Sequence, residues 1–265
     1  MTASRDETTV VLRKRDLRGS RLRCLMLNSM PREQVAATLT QLVAPLAAID
    51  PQHDHWMPGG FLEPEEAKLG ECPRFLSNDL RRKLTAWWLK QTKGANTPNW
   101  DLVSTCRVNG EPGFILVEAK AHDGEAKEEG KQPGNAENDQ QILTAIEEAN
   151  RGLNAITPGW QLSRDSHYQL CNRFAWAWKL STLGVPTILI CLGFLHATEM
   201  SDHGRAFDSA QGWDTVIREH SSGVVPAAAW ECRLQTSAAP MWALIRSLDL
   251  RWVATSHLEG AGSCL

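Results

Sequence analysis

The chain has 265 residues, of which 42% are hydrophobic and 22% charged, which suits one well-cored domain with elaborations or two small ones. Its formal net charge of −3 argues against a broad, non-specific surface for duplex nucleic acid, though not against a local basic groove. Seven scattered cysteines with no C-x-x-C pair read as reduced thiols, mostly core filler, in a cytoplasmic protein.

No apolar stretch precedes a cleavage site near the polar, then basic, N-terminus, so no signal peptide is expected. The longest nearly apolar run, Leu183 to Leu195, is shorter than the ~20 residues a bilayer span needs, so no membrane association is expected. Eleven tryptophans against one tyrosine should mostly be core residues.

Residues 1–12 are polar and expected to be loose. Arg13 to Arg23 carries six basic residues, Arg13, Lys14, Arg15, Arg18, Arg21 and Arg23, which read either as a solvated segment or as a phosphate-contacting patch. Pro31 to Ile49 reads as a helix, with Val35, Leu39, Leu42, Val43 and Leu46 on one face. His53-Asp54-His55 lies in a Pro- and Gly-rich loop and reads as polar loop rather than metal site. Glu63 to Leu69 suits a short helix. Ser77 can cap a longer one over Asn78 to Gln91, which carries Arg81, Arg82, Lys83 and Lys90 opposite its apolar face.

Asn99 to Lys120 predicts a β-hairpin around Asn109-Gly110, because both residues tolerate the positive φ of a type I′ turn. A two-residue turn pairs Val108 with Glu111, and the same register sets Asp101 opposite Glu118, with Cβ atoms roughly 5 Å apart. Lys120, two residues beyond Glu118, points to the same face. Two facing carboxylates repel unless a cation lies between them, and hard oxygen ligands suit Mg²⁺ or Mn²⁺. Pro112 is the weak point, since it lacks an N–H and can force a bulge that shifts the register.

His122 to Asn138 is polar and reads as a mobile loop. Helices are expected over Asp139 to Ile156 and Ser166 to Leu183, the second ended by Gly184. Val185 to Phe194 is apolar throughout and suits a buried central strand parallel to its partner. Beyond it, Trp213 to His220 reads as a helix, Trp230 to Gln235 as a strand, Pro240 to Leu248 as a helix, and Thr255 to Leu265 as a frayed end.

Asp101 followed by Glu118-Ala119-Lys120 at the end of an apolar strand resembles the metal site of the PD-(D/E)XK nuclease superfamily. Glu-x-Lys occurs four times here, and only this copy ends an apolar run with an acid across a hairpin. The family's proline before the Asp is missing: Trp100 stands there, and Pro98 lies three positions upstream of Asp101.

The resemblance covers roughly Ser77 to Leu195. It implies an α/β fold with a central mixed β-sheet flanked by helices, a restriction endonuclease-like core over residues 76–195. Elaborations would be an N-terminal helical and loop extension, 1–75, and a C-terminal α/β extension, 196–265. It implies a Mg²⁺- or Mn²⁺-dependent nuclease acting on DNA. Asp101, Glu118 and the Ala119 carbonyl would hold the metal, and Lys120 would position or activate water. Glu66 or Asp79 would supply a further acid, Gln169 and Asn172 support from the preceding helix, and Arg81, Arg82 and Arg173 phosphate contacts; a homodimer is compatible. Two other readings stay open: a catalytically degenerate binding or scaffold protein on the same fold, and an unrelated α/β hydrolase, which has no Gly-rich phosphate loop or G-x-S-x-G elbow to support it.

Overall fold

A computed structural model describes residues 18–126, 129–132 and 134–250. The hairpin forms its centre. Strand β5 (Leu102–Val108) pairs antiparallel with β6 (Glu111–Lys120), with Leu102 opposite Val117 and Val108 opposite Glu111. Asn109 and Gly110 have φ of 51° and 86°, as a type I′ turn demands. Pro112 sits opposite Arg107 within an unbroken register, so it causes no bulge.

Strand β7 (Thr187–Phe194) lies parallel to β6, and β9 (Pro240–Leu248) parallel to β7. The short β8 (Arg233–Gln235) closes one edge against β9. On the other edge β1 (Ala47–Ala48) and β2 (Trp56–Met57) both pair with β5. The result is a mixed seven-stranded sheet in the order β1-β5-β6-β7-β9-β8, with β2 beside β1 on β5. A second, two-stranded sheet pairs β3 (Ala67–Lys68) with β4 (Asn99–Trp100), directly before Asp101.

Helices cover both faces. On one side α1 (Gly19–Asn28) and α2 (Arg32–Val43) pack over Leu102, Ile115, Val117 and Ile190. On the other, α3 (Asn78–Trp88), α4 (Ala136–Ile156), α5 (Tyr168–Thr182) and α6 (Ala210–His220) pack over Val103, Phe114, Leu116 and Leu189. Every residue of β7 is buried, which explains why it carries no polar alternation. Gly193 is needed for the approach of α6, because a Cβ there would meet the Trp213 ring at 2.4 Å. All ten tryptophans among the described residues are buried. No helix among the described residues is long and apolar enough to cross a membrane.

Three expectations are corrected. Pro240 to Leu248 is a strand, because Met241 to Ile245 are buried and supply the parallel partner that β7 needs on its second edge. A short apolar run serves a buried strand as well as a helix, and periodicity alone does not separate them. Glu63 to Leu69 is not helical either: Ala67–Lys68 pair with Asn99–Trp100. The helix expected over Pro31 to Ile49 spans Arg32–Val43 only, since Pro45 cannot continue it and the chain turns into β1. Thus the N-terminal segment is not only helix and loop; it adds β1, β2 and β3. The polar stretch after Lys120 forms a 3₁₀ turn at Asp123–Glu125 and is tied down further on, where Glu129 accepts from the Tyr168 N–H at 3.0 Å and Lys131 donates to Asp139 at 2.5 Å. Arg13, Lys14, Arg15 and Thr255 to Leu265 lie outside the described residues.

Candidate functional site

The site lies where β6 ends and β4 passes into β5. Alternation along β6 turns Phe114, Leu116 and Glu118 toward α5, and Ile115, Val117 and Ala119 toward α1. Asp101 stands at the break between β4 and β5. It bridges back to the neighbouring strand, its Oδ2 accepting from the Ala119 N–H at 2.7 Å. The N–H and C=O of a strand residue point to the same edge, so the Ala119 carbonyl also faces the Asp101 side.

Glu118 is 6% exposed and both its oxygens are taken. Lys120 Nζ donates to Oε1 at 2.6 Å, and Arg173 Nε donates to Oε2 at 2.5 Å. Lys120 is anchored further by Gln169 Oε1 at 2.8 Å. Arg173 is 6% exposed; its guanidinium carbon lies 4.6 Å from the centre of the Trp100 ring, and its Nη1 donates to Asn172 Oδ1 at 2.9 Å. Gln169 and Arg173 are four apart on α5 and so share the face that meets β6.

These contacts divide the two carboxylates electrostatically. Burial works to raise Glu118, but Arg173 and Lys120 outweigh it and hold its carboxyl below the usual range. Asp101 retains some solvent contact, yet desolvation and then the charge of Glu118 push it up to about 7. Desolvation pulls Lys120 down, but Glu118 and Asp101 prevail and keep it firmly charged. Glu118 is therefore paired, whereas no cation among the described residues is bonded to Asp101.

Other parts of the fold close around this end of β6. Glu125 Oε2 accepts from the Ala121 N–H at 2.5 Å and Oε1 from Ser20 Oγ at 3.3 Å. A cavity of only about 20 Å³ touches Glu118, Lys120, Glu125 and Gln169, with Trp213 and His220 of α6 as its far wall. Sequence reasoning does not reach Glu125, Trp213 or His220, because no local pattern brings a turn residue or a distant helix to a strand end. The Arg173–Glu118 pair is half visible, through the spacing of Gln169 and Arg173.

The two candidate upstream acids separate clearly. Glu66 precedes β3, pairs with Arg21 of α1 and accepts from Asn99 Nδ2 at 2.9 Å, two residues before Asp101. The Cys24 thiol of α1 is raised first by burial and then by the charge of Asp101, with Glu118 and Glu66 contributing less. Asp79 is exposed on α3, where Lys83 at 2.7 Å holds its carboxyl low. Arg81 and Arg82 line a different feature, an open cleft of about 800 Å³ along α3 that also includes Lys90, Thr85 and Gly70. Of the basic run near the N-terminus, Arg18, Arg21 and Arg23 are engaged by Asp202, Glu66 and Glu199. His53 sits in its loop against Asp50 at 2.7 Å.

Among the described residues, no group of three or more His, Cys, Asp or Glu side chains is arranged to hold a metal ion. The donors that converge are two carboxylates and one main-chain carbonyl, the hard oxygen set that suits Mg²⁺ or Mn²⁺. Asp101, its carboxyl raised by burial and then by the charge of Glu118, fits such an ion; Glu118 fits it once one of its oxygens is released. No protein-family model, no curated protein and no solved structure matches this chain. The fold and site alone therefore define it: an α/β protein with two carboxylates, a lysine and a buried arginine at the end of a central strand.

Proposed function

We propose that the chain is a metal-dependent nuclease of the PD-(D/E)XK type, hydrolysing phosphodiester bonds of DNA on a restriction endonuclease-like core. One observation carries the reading: Glu118 and Lys120 touch at the end of β6 while Asp101, brought there by the hairpin register, is bonded to the N–H of Ala119 between them. The order of elements supports it as well, with the carboxylate hairpin followed by helices and a strand parallel to β6.

In this reading Asp101, Glu118 and the Ala119 carbonyl would hold Mg²⁺ or Mn²⁺, with Glu66 the further acid, bonded to Asn99 two residues before Asp101. The bound ion would polarise the scissile phosphate and neutralise charge in the transition state. Lys120 keeps its ammonium charged beside Glu118 and Asp101 and is aimed by Gln169. It orients the attacking water or stabilises charge developing on the phosphate. The basic cleft along α3, ending near the β3–β4 pair, is the surface that suits the nucleic-acid backbone.

The test is cleavage of mixed single- and double-stranded DNA with Mg²⁺ or Mn²⁺, beside thermal melting with and without Mn²⁺. Lys120→Ala should lower cleavage about 10²-fold or more while keeping the Mn²⁺-induced rise in melting temperature. A wild-type chain that cuts nothing and whose melting ignores Mn²⁺ overturns the proposal. That outcome would favour the second reading, a degenerate binding protein, which draws on the full pairing of Glu118 and the small cavity beside it.

A further inference from the structure

We infer that Arg173 is a built-in counter-ion that competes with the divalent cation for Glu118, so that the site loads metal only when the guanidinium leaves that oxygen. The inference rests on the nuclease reading and adds a control on metal binding to it.

Three observations lead to it. First, Arg173 Nε donates to Glu118 Oε2 at 2.5 Å while Lys120 donates to Oε1 at 2.6 Å, so each oxygen of Glu118 already faces a cation. Second, the charges of Asp101 and Glu118 are already balanced in number by Lys120 and Arg173, yet both cations bond Glu118 and neither bonds Asp101. A divalent ion entering beside an unmoved guanidinium meets a like charge at close range in a poorly screened place. Third, Arg173 is the better anchored of the two blocking groups. It lies buried over the Trp100 ring and against Asn172, whereas Lys120 is a flexible ammonium whose second partner, Gln169, is near the surface.

An arginine that merely supports Glu118 makes the opposite prediction. If Arg173 positions Glu118 for the metal, its loss should weaken metal binding. If it competes, its loss should strengthen binding, even though the metal-free protein melts lower because Glu118 is left with Lys120 alone. The sign of the change therefore separates the two roles.

The experiment is titration of the full-length chain with Mn²⁺ alone, followed by calorimetry and by the electron paramagnetic resonance of free Mn²⁺. The chains compared are wild type, Arg173→Gln, Arg173→Met and Asp101→Asn. Arg173→Met keeps the stem against Trp100 should the Gln variant fail to fold. The expected result is Mn²⁺ affinity about tenfold or more above wild type in whichever neutral variant folds, with the gain lost when Asp101→Asn is added. In the wild-type chain the Arg173 Nε–H resonance should also shift on adding Mg²⁺. Affinity equal to or below wild type in a folded variant, with wild-type binding that depends on Asp101, overturns the competition while leaving the nuclease reading in place. Absence of Mn²⁺ binding in every chain, with an Arg173 resonance that ignores Mg²⁺, overturns both.

Discussion

The two ends of the β5–β6 hairpin are held by different physics. At the turn end, Asn109 and Gly110 take left-handed φ values, and a Cβ placed on Gly110 would touch nothing within 4 Å. The turn there follows from local backbone preference. At the other end, Glu118 is buried between Lys120 and an arginine 55 positions away, Lys120 reaches a glutamine 49 positions away, and α1, Glu125 and α6 close the surroundings. The difference shows that one hairpin can take its turn from two residues and the chemistry of its other end from elements far apart in the chain. Register brings the carboxylates together; long-range partners decide which of them is ionised.

The largest effect should come from removing the centre of the distant network. Glu118→Ala leaves Arg173 and Lys120 facing each other without their carboxylate in a buried place, and breaking such a pair costs roughly 3–5 kcal/mol. In a domain of this size that corresponds to a melting temperature lower by roughly 10 °C, read by calorimetry. A loss of only a degree or two would mean that the two cations find other partners.

A smaller effect, with a sign that depends on pH, is expected at Asp101. Its pKa in the folded chain, about 7, lies above the usual carboxylate range. The folded state therefore binds a proton that the unfolded state has already released. The stability contributed by that proton is full below the usual carboxylate range and is lost as pH rises through about 7. Asp101→Asn keeps an acceptor for the Ala119 N–H and removes the charge. The metal-free variant should match wild type under acid conditions and exceed it by on the order of 2 kcal/mol near pH 8. Parallel stability–pH curves for the two chains would contradict the electrostatic account of the site.

The smallest effect belongs to the turn. Gly110→Ala places a side chain at φ of 86° with no steric neighbour, so only the local backbone preference is lost, about 1–2 kcal/mol. Metal affinity and cleavage should stay at wild-type levels, because the register is also fixed by the buried faces of β5 and β6. A loss of metal affinity in this variant would show that the turn, rather than the sheet, holds the two carboxylates in register.

The same contrast explains what could be read before the fold was known. The hairpin, its register, the buried strand β7 and the helix carrying Gln169 and Arg173 rest on turn chemistry and periodicity, which are local, and all are present. The choice between Glu66 and Asp79 was not local. It depends on β3 pairing with β4, which carries Glu66 to Asn99 and leaves Asp79 with Lys83 on an exposed helix face. Pro240 to Leu248 was misread because its apolar run has no period that distinguishes strand from helix. Only its place beside β7 does. The engagement of Glu118 by Arg173 and the closure by Glu125, Trp213 and His220 arise from packing between elements far apart in the chain.

The most direct test of the account is a crystal of the full-length chain soaked in Mn²⁺, with anomalous scattering measured at the manganese edge. The account predicts a peak between the Asp101 and Glu118 carboxylates and the Ala119 carbonyl, with Arg173 withdrawn from Glu118. No peak there at saturating Mn²⁺, with Lys120 and Arg173 still bonded to Glu118, would contradict it.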